Sequence, residues 1–142
     1  MTSETLELSP ERAAQGWKIM RSGGFSSLVG PILARREGDG WVYAFQSGQQ
    51  HENRQGAVHG GMLMTFADHA IGATAWEAGG RRKCVTMQLD CQFLSAAIPG
   101  DFIECRGRAT RTARSVIFMA GELIVGDRVV LAATGIWKVV GN

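Results

Sequence analysis

Three cysteines, Cys84, Cys91 and Cys105, are all that the 142 residues hold. Their number is odd and their spacing does not pair them as metal ligands, so neither a disulfide framework nor a paired-cysteine zinc site is expected, and a reducing, cytoplasmic compartment fits best. Cys91 and Cys105 fall where the pattern reads as strand interior, and no histidine lies in a segment that pairs with either, so structural thiols are favoured over a nucleophile. The chain also lacks any run of roughly 18 apolar residues and shows no charged-then-apolar leader, which predicts neither a membrane span nor an export signal. No HExxH or similar ligand pair occurs among His51, His59 and His69, so no metal site is expected. Charge of one sign is scarce as well. The net charge is +2, and the basic stretches at Arg81 to Lys83 and Arg106 to Arg114 carry no interleaved aromatics, which argues against nucleic acid as a partner.

What is present is an apolar content of 45%, enough for one sizeable core and too short a chain for two ordinary domains, so residues 1–142 read as a single domain. Ser9 and Pro10 open a helical pattern over Glu11 to Arg21, closed by Gly23-Gly24. Ile32 to Arg36 and Trp41 to Phe45 flank Gly38-Asp39-Gly40 and predict a hairpin. Ser47 to Val58 is polar and reads as a loop that delivers the chain to a helix over His59 to Glu77, ended by Gly79-Gly80. Beyond it the alternation of Val85, Met87, Leu89, Cys91 and Phe93 with polar neighbours, and of Ile103, Cys105 and Ala109 with theirs, predicts strands with one core face. Pro99-Gly100, Arg111 to Arg114 and Gly126-Asp127 mark the turns of a four-strand meander. The last strands are apolar on both faces, so part of the outer sheet surface is expected to be covered, by the N-terminal helix or by a second subunit. The fold class is α+β, an antiparallel sheet curled around one central helix.

The central helix carries the chemistry. From Met62 to Trp76 its apolar side chains cover nearly the whole circumference, which predicts burial, yet Asp68 stands among them. A carboxylate there must be paired, hydrogen-bonded or raised in pKa, because desolvation disfavours its charged form. The helix opens on Gly60 and Gly61, whose N–H groups are helix-start donors at the positive end of the dipole and whose bare backbone lets a carbonyl approach. A nucleophile-delivering carboxylate and donors for an oxyanion are what thioester hydrolysis needs. Gly60 and Asp68 are eight residues apart, roughly 12 Å along a helix. If both act on one carbonyl, they come from two copies of the helix, in a two-fold dimer with antiparallel central helices.

Asn53 and Gly56, then His59-Gly60-Gly61, Asp68 and Pro99-Gly100-Asp101, in this order of elements, resemble the hotdog-fold acyl-CoA thioesterases of the phenylacetate-degradation (PaaI-like) type, over nearly the whole chain. The resemblance implies a sheet wrapped around a long central helix, hydrolysis of an acyl- or aryl-acyl-coenzyme A to the free acid and coenzyme A, and no cofactor apart from the coenzyme A of the substrate. It implies Asp68 as general base or nucleophile, the Gly60 amide as carbonyl polariser, Asn53 as a holder of the attacking group, and a homodimer with shared sites that can pair further into a tetramer.

Each residue also has a plainer use. Gly60 and Gly61 can simply allow close packing, His59 can orient Asn53 or the substrate or merely bond within the loop, and Asn53 can cap its own backbone. Thr86 falls where the family often has a hydroxyl that assists the attacking water, but strict alternation puts it on the polar face with Gln88 and Asp90. Gly61, Arg82 and Arg114 are candidates for contacts to the coenzyme A part, alongside Arg81 and Lys83. The family often has Gly before the basic residue at the later turn, where this chain reads Ala113-Arg114. Two other functions share the fold: an enoyl-CoA hydratase or dehydratase working through a histidine and an acid, and an acyl-CoA-binding protein without catalysis.

Overall fold

The computed structural model describes residues 8–21 and 23–141. Its central element is helix α3 (Gly60–Ala78), built from strong helix formers and preceded by the capping residue His59. It stops where Gly79 and Arg81 return their N–H groups to Ala75 and Trp76, with Gly80 and Arg81 both at positive φ. Around it wraps a seven-stranded antiparallel sheet in the order β1-β2-β3-β5-β6-β7-β4: β1 (Lys18–Met20), β2 (Ile32–Glu37), β3 (Gly40–Gln46), β4 (Cys84–Phe93), β5 (Phe102–Thr112), β6 (Val116–Val125) and β7 (Arg128–Val139). This is the hotdog architecture. Phe66, Ala67, Ala70, Ile71 and Ala75 are fully buried against Phe45, Ile103, Ile117, Leu123 and Leu131 from the sheet. Each large side chain so buried contributes about 1.5–3 kcal/mol. The helix lies close on the sheet because Gly121 faces it: a Cβ there would stand 3.1 Å from the Ile71 side chain.

Four expectations need correction. Helix α1 is only Pro10–Ala14, because Gly16 turns at φ 93 and Lys18–Met20 pairs with β2 instead. Trp17 between them is buried with Leu33, Val42 and Ala44 on the outer face of the sheet. Gly23-Gly24 therefore starts helix α2 (Gly24–Val29) and does not end a long one. The four later strands do not form a simple meander. β4 pairs with β7, and β5 with β3 and β6, so the segments on either side of Pro99-Gly100 lie far apart in the sheet. Arg111 belongs to β5, and the turn is confined to residues 113–115.

The third correction concerns covering. The N-terminal segment shields only the β2-β3-β5 part of the outer face, and Phe118 on β6 remains 37% exposed. The fourth concerns α3, which is not buried all round. A stripe running through Gly61, Met64, Asp68 and Trp76 stays open within one chain, with Met64 38% and Trp76 40% exposed. The spacings of three, four and eight residues place these on one face of the helix. Beside it, edge strand β4 leaves Val85, Met87 and Phe93 exposed, and its second edge is unpaired. All three cysteines are free; Cys105 is buried and Cys84 and Cys91 are half-buried.

Candidate active site

Asp68 sits half-buried on the open stripe of α3, and its Oδ1 accepts a 2.6 Å hydrogen bond from the Thr86 hydroxyl. Strict alternation puts Thr86 on the far face, and a β-bulge reverses that. Thr86 lies opposite Trp137 and Gln88 opposite Ile136, with Met87 inserted between, so everything before the bulge is shifted by one residue. Thr86 thereby joins Leu89 and Cys91 on the helix side. The bulge places a hydroxyl donor on a carboxylate that has no other protein partner among the described residues.

The start of α3 presents one free donor. Met62 and Leu63 return their N–H groups to the His59 carbonyl, and Gly61 N–H donates to His59 Nδ1 at 2.8 Å. The Gly60 N–H has no acceptor among the described residues. His59 Nδ1 therefore acts as an acceptor, and the Gly61 N–H is occupied rather than free. A Cβ on Gly60 would stand 3.2 Å from the Phe93 ring, so the glycine keeps that donor accessible beside the end of β4. Asn53 shapes the approach loop: its Oδ1 accepts from Gln55 and Ala57 N–H at 2.8 and 3.1 Å. Its Nδ2 is left to donate elsewhere. Asn53 and Gly60 thus lie near one end of α3, and Asp68 with Thr86 two turns away.

Of the basic candidates, Arg82 is tied down, donating to Gly79 O at 2.7 Å and Arg114 O at 3.1 Å. Arg114 holds the turn with its carbonyl while its side chain is exposed. Among the described residues no three His, Cys, Asp or Glu side chains converge as a metal site would require.

Burial shifts two neighbouring titratable groups toward their neutral forms. Burial pushes the His69 imidazole below its ordinary value, against the opposing pull of Asp68. Its Nδ1 meets Ser26 Oγ at 3.1 Å, and its Nε2 is buried without a partner. Burial raises the Cys91 thiol, reinforced by the charges of Asp90 and Asp68, so that thiol is a poor nucleophile. The cleft around Asp68 and Thr86 is completed by Lys83, one of the basic candidates, by Gly72, Cys84 and Val85, and by two residues the sequence did not single out for the site, Trp76 and Trp137. Gly72 is readable in hindsight as the position one turn after Asp68; Trp137 arrives from the last strand and has no local signal.

The sequence pattern of the thioesterase superfamily matches residues 55–132, more than half the chain. The chain belongs to that superfamily. Within it the protein has the hotdog fold and is a thioester hydrolase. PA0474 of Pseudomonas aeruginosa, provisionally named an esterase, is 31% identical over 121 residues, 84% of this chain and 90% of that one. A Streptococcus pneumoniae hypothetical thioesterase, solved with coenzyme A, is 25% identical with a TM-score of 0.71, over 78% of this chain and 87% of its own. The Escherichia coli PaaI protein from the phenylacetic acid degradation operon shares the fold, with a TM-score of 0.73 at 18% identity over 82% and 84% of the two chains. For a thioester hydrolase the residues 55–132 matter most, since they span the start of α3, Asp68 and Thr86. No helix among the described residues is long and apolar enough to cross a membrane.

Proposed function

We propose that the protein is an acyl-CoA thioesterase that hydrolyses acyl- or aryl-acyl-coenzyme A in the cytoplasm, with Asp68 as the group that delivers oxygen to the carbonyl. The observation that carries this reading is the Asp68 carboxylate, held by the Thr86 hydroxyl on the open face of an otherwise apolar helix. As base, Asp68 takes a proton from water, the hydroxide adds to the thioester carbon, and the proton passes to the departing coenzyme A thiolate. As nucleophile, it adds directly to the thioester carbon and expels the coenzyme A thiolate; water then cleaves the mixed anhydride, freeing the acid and the Asp68 carboxylate, and the proton released goes to the thiolate. In either route the oxyanion needs a donor, and the unpaired Gly60 N–H is suited to it.

Gly60 and Asp68 of one chain are roughly 12 Å apart along α3, too far to share one carbonyl. The functional unit is therefore a homodimer with antiparallel central helices, in which Gly60 and Asn53 of one protomer face Asp68 and Thr86 of the other. The uncovered stripe on α3 and the open edge of β4 support it, since both are apolar surfaces that a second copy would cover. Gly61 lets the coenzyme A arm pass the helix start, and the exposed Arg114 side chain, its turn braced by Arg82, meets the phosphates. The hydratase alternative loses its base, because His59 Nδ1 already accepts from Gly61. Thiol release from a panel of acyl-CoAs tests the reading. Asp68→Asn keeps the shape and removes base and nucleophile, and turnover is expected to fall by about a hundredfold or more with KM little changed. Near-normal turnover rejects it.

A further inference from the structure

The cleft of about 490 Å³ beside Asp68 holds a donor that hydrolysis itself does not use. Trp137 is only 2% exposed, yet its indole N–H donates to no acceptor among the described residues. The indole nitrogen is not itself sealed from solvent, since the buried side-chain polar atom without a partner among the described residues is His69 Nε2; Trp137 lines the cleft, and an acceptor that arrives with a ligand can pair with its N–H. The indole Nε1 edge faces Gly72, where a Cβ would stand 3.1 Å from that nitrogen. Gly72 lies one turn beyond Asp68 on the same helix face, roughly 6 Å along the axis. The other walls are apolar or aromatic, Trp76, Val85 and Cys84, and Lys83 stands at the rim.

Resting on the thioesterase reading, we propose that this cleft is the acyl pocket and that Trp137 selects short acyl groups carrying an oxygen acceptor about one helical turn from the reacting carbonyl. One donor among apolar walls matches a group with one oxygen among carbons. The coenzyme A arm, with its successive amides, would leave several polar groups facing Trp76 and Val85 unpaired. The oxygen belongs to a hydroxyl or to a terminal carboxylate, and Lys83 distinguishes the two.

The test compares kcat/KM for matched pairs, 4-hydroxybutyryl-CoA against pentanoyl-CoA and glutaryl-CoA against hexanoyl-CoA. The wild-type protein is expected to favour the oxygen-bearing member of at least one pair by about five- to tenfold. Trp137→Phe is expected to bring that ratio to about one, whatever happens to the individual rates. Gly72→Ala, which favours the helix and sets a methyl against the indole nitrogen, lowers the same ratio and serves if Trp137→Phe does not fold. Loss of a glutaryl preference in Lys83→Met assigns the oxygen to a carboxylate; a hydroxybutyryl preference indifferent to Lys83→Met assigns it to a hydroxyl. Ratios near one in the wild-type protein overturn the proposal, as does a ratio that survives in Trp137→Phe while all rates fall by a common factor, which places the donor on the coenzyme A arm. Hydrolysis that still depends on Asp68 in those cases leaves the thioesterase reading standing. No thiol release from any acyl-CoA removes both.

Discussion

A single hydroxyl decides how Asp68 is held. A hydrogen bond to a charged group is worth about 1.5–3 kcal/mol, so Thr86→Val is expected to lower kcat by about ten- to a hundredfold, with KM nearly unchanged. Thr86→Ser keeps the donor and should restore most of the rate; steady-state kinetics of the two variants checks the role. His69 gives a different readout. Its folded pKa is pushed below the ordinary value of 6.5 by burial, so the unfolded chain binds the proton first. The stability this imposes is full above about pH 6.5 and is lost as pH falls from there toward the folded value. Urea midpoints at pH 7.5 and 5.5 should therefore differ, and His69→Gln should reduce that difference. Cys105, 1% exposed and pushed by burial to about 12, is expected to resist a thiol reagent that modifies the half-buried Cys84 in the native protein.

At the scale of elements, α3 and β4 work as a pair. The helix supplies the carboxylate and the free N–H; the strand supplies Thr86 near Asp68 and Phe93 near Gly60. Gly60→Val brings bulk against the exposed Phe93 ring, which can swing away, but it closes the approach to the backbone donor. Loss of one such donor is worth on the order of a hundredfold in kcat, and unchanged kinetics in a folded variant would mean that the glycine only packs. The helix itself was readable from its apolar run and its glycine ends to within one residue. Strand β4 was readable as a strand, but its facing was not, because a bulge of one residue reverses the alternation without a marker in the sequence. The N-terminal helix was overextended for a related reason. Residues 18–20 find backbone partners on β2, and pairing outweighs the weak helical preference of so short a segment.

At the scale of the whole molecule, the proposed dimer builds each site from two chains. Mixing an Asp68→Ala chain with a Gly60→Val chain, each nearly inactive alone, is expected to restore activity to about a quarter of the wild-type level. Random pairing makes half of the dimers mixed, and each mixed dimer has one site with both groups intact. Absence of recovery, with exchange of subunits confirmed by native mass spectrometry, would mean that the two groups act within a single chain.

The sequence by itself determined the central helix with its lone carboxylate, the glycines at its start, the hairpin, and through them the family, because all of these depend on spacing along a few turns of chain. Only the tertiary structure decided which face of β4 meets Asp68, that Gly61 N–H is taken by His59 while Gly60 N–H is free, and that Trp137 borders the cleft. Those are contacts between residues 18 to 69 positions apart, or hydrogen bonds set by the path of the backbone. The periodicity of a segment records which side is apolar, and it carries no account of where another segment will lie against it.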